Sequence, residues 1–113
     1  MAEEQSHRVP DACVVEFREM LQSVLGENFV RLYHFGSRIE GGAGRDSDYD
    51  VLCVTRRPLT RDEDTEVMAR RIDLQLDRDV FFDPHFFTVD EMQSPTLGRM
   101  LLVEHVLAAG VVV

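Results

Sequence analysis

Apolar positions along this chain change period several times, and each change marks an element. Val14, Phe17, Leu21, Val24 and Leu25 recur at three and four residues, the spacing of one buried helix face. Pro10 and Asp11 suit the first turn of that helix, and Gly26 its end. Phe29 to Phe35 and Asp48 to Val54 are short apolar runs bounded by turn residues, which predicts two core strands. Thr60-Arg61-Asp62-Glu63 has the form of a capping box and opens a charged helix running to about Leu76, with Val67, Met68, Ile72 and Leu76 as its expected buried side. Val80 to Phe87 predicts a third strand. Pro84 inside it cannot donate to a ladder and so predicts an edge position or a bulge. Thr88-Val89-Asp90-Glu91 is a second capping box before a short helix. Ser94-Pro95 starts another helix that ends at Gly110, where Leu97, Met100, Leu101, Val103, Glu104 and Leu107 mix core and surface. Val111 to Val113 completes the pattern as a terminal strand. The expected fold class is α/β (α+β): a small mixed β-sheet flanked by helices. One domain is expected over residues 9–113, after a disordered tail at 1–8.

Composition narrows the function classes. Hydrophobic residues make up 44% of the 113, yet no run approaches the roughly 18 apolar residues of a membrane span, and no charged-then-apolar leader opens the chain. Cys13 and Cys53 are the only cysteines and lack metal-ligand spacing, which fits two buried thiols in a reduced, cytoplasmic setting. Twelve basic against 21 acidic residues give a net charge of −9, which argues against a domain that grips duplex nucleic acid by a broad basic face. A metal-dependent site or a basic protein partner suits that charge better. Arg56, Arg57, Arg61, Arg70 and Arg71 could still form a local phosphate-facing patch, against the plainer reading of a solvated helix face.

The chemistry concentrates between the first two strands. Phe35 runs into Gly36-Ser37, a polar and glycine-rich spacer from Arg38 to Ser47 follows, and the second strand opens with Asp48-Tyr49-Asp50. Side chains alternate along a strand, so Asp48 and Asp50 share a face that Tyr49 does not. Two carboxylates beside a glycine turn suit a hard divalent ion, which takes oxygen ligands and usually one or two carboxylates plus substrate phosphates. Asp46, Asp48 and Asp50 do not begin an EF-hand loop, because position six would be Val51 and position twelve Arg57. Gly36 to Gly41 is not a phosphate-binding loop of the Walker type, because Gly42 stands where Lys is required. The remaining competitor is a solvated turn with acids at the head of a strand. Of the four histidines, His34 reads as a half-buried strand residue, His85 sits on the third strand one pleat position away from the face of Asp83, His7 in the tail and His105 on a helix surface. None neighbours a Ser or Cys nucleophile, so acyl transfer has no support.

Taken together, Gly36-Ser37, ten residues and Asp48-Tyr49-Asp50 resemble the nucleotidyltransferase superfamily that includes DNA polymerase beta, and especially its minimal, antitoxin-like members. Arg38, Gly41, Ala43, Asp46 and Ser47 stand where such members commonly carry these residues. The third strand of the family opens with a further acid, and Phe82-Asp83-Pro84-His85-Phe86-Phe87-Thr88-Val89-Asp90-Glu91-Met92 resembles that pattern with Asp83 on the acid's position. Asp79, four residues upstream and thus on the same face of a continued strand, is the alternative.

The resemblance implies a nucleotidyltransferase fold and Mg²⁺- or Mn²⁺-dependent transfer of a nucleoside monophosphate, AMP from ATP, to a hydroxyl. Asp48, Asp50 and Asp83 would be the catalytic and metal-binding acids, and Gly36, Ser37 and Arg38 the triphosphate-binding residues. It also implies a partner, a helical HEPN-type toxin, with a homo-oligomer as a further expectation. Larger relatives add a helical domain for which 113 residues leave no room, so the pocket is expected to be open or completed by another subunit. The competing class is a binding module with a vestigial site that neutralises its partner by covering it.

Overall fold

A computed structural model describes residues 11–36 and 48–113; the expected 1–8 tail and the 38–47 spacer lie outside them. Helix α1 spans Ala12–Leu25, and a single 3-10 turn, Gly26–Asn28, leads into β1, Phe29–Phe35. After β2 (Tyr49–Thr55) come α2 (Arg61–Arg78), β3 (Phe82–Thr88), the short α3 (Val89–Gln93), α4 (Leu97–Ala109) and β4 (Val111–Val112). The four strands form one mixed sheet in the order β3-β2-β1-β4, with β2 antiparallel to β1, β3 parallel to β2, and β4 antiparallel to β1. The parallel step is the one that needs a long crossover, and α2 supplies it.

Helix boundaries follow from side chains that satisfy end groups. Asp11 caps α1 by accepting from the Cys13 N–H at 2.8 Å, and Gly26 ends the helix at φ +55°, where a residue with a Cβ would be strained. Thr60 and Glu63 exchange the two bonds of a capping box at the start of α2, and Thr88 and Glu91 do the same for α3. Beyond α2, Asp79 adopts a left-handed conformation as the cap that ends the helix.

The sheet buries both faces. On one side Val14, Phe17, Leu21 and Leu25 of α1 and Val67 of α2 pack against Leu32, Tyr49, Val51, Cys53 and Phe82. On the other, Val103 and Val106 of α4 meet Tyr33, Phe35, Leu52, Val54 and Phe87. No helix among the described residues is long and apolar enough to cross a membrane.

Several sequence expectations need correction. Met68, Ile72 and Leu76 do not form the buried side of α2: they are 49, 45 and 79% exposed. The helix contacts the core through Val67 and Leu74, a stripe rotated by about one residue from the expected one, because α1 rather than the sheet covers most of its inner face. Leu97, Leu101 and Leu107 likewise face outward on α4, where the inward positions are Val103 and Val106. The third strand begins at Phe82 rather than Val80, since the chain up to Asp79 is still completing the helix.

Candidate active site

Three strands bring the candidate residues into one row. In the ladder registers Phe35 pairs with Asp50, and Asp50 pairs with Asp83. Asp50 shares its strand parity with Leu52 and Val54, and Asp83 with Phe87, all on the α4 side of the sheet, so both acids lie on that side. Neighbouring strands are about 4.8 Å apart, which places the two Asp backbones side by side. Asp48 is exposed and stands one residue before β2, at the same end of the sheet.

Gly36 closes the row and explains why it must be glycine. Its φ is +85°, and a Cβ built on it would collide with the Asp50 carboxylate, 2.9 Å from Cγ and 3.0 Å from Cβ of that residue. The turn after β1 therefore lies directly against the carboxylate that the row presents. Ser37 and Arg38 lie outside the described residues.

The opposite face of the sheet holds the row in place. Tyr49, between the two acids in sequence, points away from them and donates from its hydroxyl to Asp11 Oδ2 at 2.9 Å, tying the start of β2 to the cap of α1. Its ring lies 5.3 Å from Phe82, which stacks at 4.5 Å on Phe17, and 5.5 Å from His34. Four rings thus brace the strand ends whose next residues, Asp50 and Asp83, face the other way.

Asp79 falls out of the row, because it caps α2 and is not on β3 at all. Asp83 stays in it, 56% exposed at its side chain, with His85 Nε2 at 3.7 Å from Asp83 Oδ2. The sequence reading set His85 off the face of Asp83 and gave it no role beside the acids. Two residues on along a strand it shares the face of Asp83, and its ring lies 6.0 Å from Phe35. The period-two signal that pairs Asp48 with Asp50 would have found it.

Four of the five arginines that could face phosphates hold protein partners instead. Arg56 donates to the Glu27 carbonyl at 2.7 Å, Arg57 forks onto Glu63 at 2.8 and 3.1 Å, Arg70 pairs with Glu66 at 2.6 Å, and Arg71 donates to the Phe82 carbonyl at 3.3 Å. The Arg57 fork, with the Thr60 backbone bond, holds the Glu63 carboxyl down at about 2.

Among the described residues no group of three or more His, Cys, Asp or Glu is arranged to hold a metal ion by itself. The donor set of the row is nonetheless all oxygen, and Mg²⁺ is commonly held by one or two carboxylates together with substrate phosphates. Asp50, with a glycine turn against it, fits that mode.

The site thus combines a parallel strand pair joined by a helical crossover, acids in register near the head of both strands, and a glycine turn against one of them. The chain belongs to the nucleotidyltransferase domain family, whose model matches residues 15–107. It is 36% identical over 55 residues to spectinomycin 9-adenylyltransferase of Enterococcus faecalis, a match covering 49% of this chain and 21% of that protein, so it spans about a fifth of that curated relative. Its fold is similar to a chain in the crystal structure of a mutant of the toxin–antitoxin pair MntA–HpeT, with a TM-score of 0.62 at 17% identity over 87% of this chain and 69% of the other. A chain in the structure of a tri-AMPylated Shewanella oneidensis HEPN toxin in complex with MNT antitoxin gives a TM-score of 0.57 at 16% identity over 88% of this chain and 67% of the other. At such identities these likenesses establish the shared fold.

Proposed function

We propose that this chain transfers AMP from ATP to a hydroxyl group on a partner protein, in the manner of an antitoxin that modifies a HEPN-type toxin. The observation that carries the reading is the register of Asp50 with Asp83 on one face of the sheet, with Gly36 shaped around the Asp50 carboxylate. The family supports nucleotidyl transfer, the matched segment of an adenylyltransferase supports AMP, and the AMPylated toxin complex supports a protein acceptor.

Asp48, Asp50 and Asp83 would hold Mg²⁺ or Mn²⁺, which supplies positive charge that offsets the negative charge developing on the triphosphate oxygens. Gly36 leaves room at the turn, and Ser37 and Arg38 would donate to the phosphate tail. Asp83 would accept the proton of the attacking hydroxyl. The acceptor oxygen then bonds to the α-phosphorus, the bond from that phosphorus to the β-phosphate oxygen breaks, and pyrophosphate leaves.

The test measures thermal stability with Mg²⁺ and ATP, alone and together, alongside label transfer from α-phosphate-labelled ATP into the protein encoded beside this one. A ligand at 100 times its Kd stabilises by about 2.7 kcal/mol. Wild type is expected to show that order of stabilisation with both ligands, and the Asp48→Asn, Asp50→Asn double variant to lose it while keeping its fold. Asp83→Ala is expected to lower labelling by about 100-fold or more while the part of the stabilisation carried by Asp48 and Asp50 persists. Stabilisation unchanged in the double variant overturns the site. Tight partner binding without any labelling by wild type returns the chain to the binding-module class.

A further inference from the structure

The outer edge of β3 has a use that AMP transfer alone leaves unassigned. In a strand the N–H and C=O of one residue point to the same side, and those of the next residue to the other. The Tyr49 N–H donates to the Phe81 carbonyl at 2.8 Å, so the odd-numbered residues of β3 bond β2, and Phe82, Pro84, Phe86 and Thr88 face outward. Three of these four are blunted. Phe82 donates to Gln75 Oε1 at 2.9 Å and accepts from Arg71, Pro84 has no N–H, and Thr88 donates to Glu91 at 2.9 Å. Among the described residues nothing takes the outward N–H and carbonyl of Phe86.

The surface around that gap is concave on both faces of the sheet. A cavity of about 360 Å³ between β3 and α4 reaches His85, Gly98 and Leu102, and one of about 190 Å³ reaches Leu59, Asp64 and Glu91. Phe86 and Arg99 line both, so the two meet around the edge. A segment paired with Phe86 would send alternate side chains into the two cavities. The residue opposite Phe86 would face Asp64, where a chain of net charge −9 favours a basic side chain, Glu91 being paired with Arg99 at 3.0 Å. Three residues along, about 10 Å at the rise of a strand, the added segment would lie level with Asp83 and point a side chain to the same face.

We infer that the β3 edge docks the acceptor as an extended polypeptide segment by strand addition, with a basic residue opposite Phe86 and the hydroxyl-bearing residue level with Asp83. This rests on the reading that the acceptor is a protein hydroxyl. Pairing is short because the blunted neighbours end it, which suits a substrate that must leave.

The test uses the full chain, Mg²⁺, α-phosphate-labelled ATP and an array of nine-residue peptides, each with one Tyr, Ser or Thr among varied residues. Labelled peptides are expected to lose signal at least tenfold when the basic position three residues from the hydroxyl is made acidic. Gly98→Phe, which builds into open space from a helix position with nothing within 4 Å of its Cβ, is expected to lower labelling at least tenfold. Phe86→Pro, which removes the outward N–H, is expected to do the same. The Mg²⁺- and ATP-dependent thermal shift should stay at the wild-type value in both. Bound peptide should also slow amide hydrogen exchange over residues 84–88. Wild-type labelling by both variants, or no protection at 84–88, overturns the docking mode and leaves the transfer reading intact. Absence of labelling of peptides and partner by wild type itself fails the transfer reading, and this inference with it.

Discussion

Replacing Gly36 with Ala isolates the contact on which the acid row depends. Two costs are expected. The first is backbone: a residue with a Cβ at φ +85° loses about 1–2 kcal/mol relative to glycine. The second is steric: the added Cβ lands on the Asp50 carboxylate, so that side chain must swing away or the turn must shift, and contacting residues typically couple by about 0.5–3 kcal/mol. Together they amount to about 1.5–5 kcal/mol. At about 4 °C per kcal/mol for a domain of this size, the melting temperature should fall by roughly 6–20 °C. Gly26→Ala is the internal control, since Gly26 also has positive φ, +55°, but an added Cβ there meets nothing within 4 Å. It should lose only the backbone cost, about 1–2 kcal/mol. Urea unfolding followed by circular dichroism, without nucleotide, reads both. The double variant Gly36→Ala, Asp50→Ala completes a cycle: removing the carboxylate should recover about 1 kcal/mol, though not all, because the Asp50 Cβ itself lies 3.0 Å from the added atom. Equal costs at Gly26 and Gly36 with no coupling to Asp50 would refute the claim that glycine is required there by the carboxylate.

Glu63 carries a pH signature. Its carboxyl is held at about 2 by Arg57 and the Thr60 N–H, below the unfolded value, so the stability it contributes is present above about pH 4.5 and is lost as pH falls toward 2. The gap in melting temperature between wild type and Glu63→Gln should therefore be widest above pH 5 and close by pH 2; a gap independent of pH would sink the assignment. On α2, Leu76→Ala should change stability by less than about 0.5 kcal/mol, because Leu76 is 79% exposed, whereas Leu21→Ala at a fully buried site should cost about 2–5 kcal/mol. Chemical denaturation of the two variants decides, and comparable losses would place Leu76 in the core after all.

Local signals were readable wherever one residue dictates one backbone requirement. Thr60 with Glu63, Thr88 with Glu91, Gly26, and Pro84 on an edge strand each behave as their chemistry requires, because capping and ladder geometry act over three or four residues. The face of α2 was not readable. Met68, Ile72 and Leu76 form an apolar stripe as regular as the one through Val67 and Leu74, and only the placement of α1 and the sheet selects between them. The alternative acid, Asp79, meets a related limit: its position four residues before Asp83 fits a strand face only if the strand has already begun, and here Asp79 still caps the helix. For the site, strand alternation predicts that Asp48 and Asp50 share a face, but β2 begins at Tyr49, so Asp48 stands just outside the strand that the alternation assumes. The register of Asp50 with Asp83 required the parallel crossover, which sequence spacing does not encode.

That register in turn rests on residues with no chemistry of their own to perform. A parallel pair has no tight turn to set its alignment, so the alignment of β2 with β3 must come from side-chain packing and end contacts. Here the stack of Phe17, Phe82, Tyr49 and His34, the Tyr49 hydroxyl on Asp11, and the Gln75 and Arg71 bonds to the Phe82 backbone all act within one residue of the acids. A one-residue slip of β3 would turn Asp83 to the α1 side and bring Phe82 to the α4 side, which this packing opposes. The acids can thus remain hydrated and exposed, as Asp48 and Asp83 are, while their spacing is fixed from the dry side of the sheet.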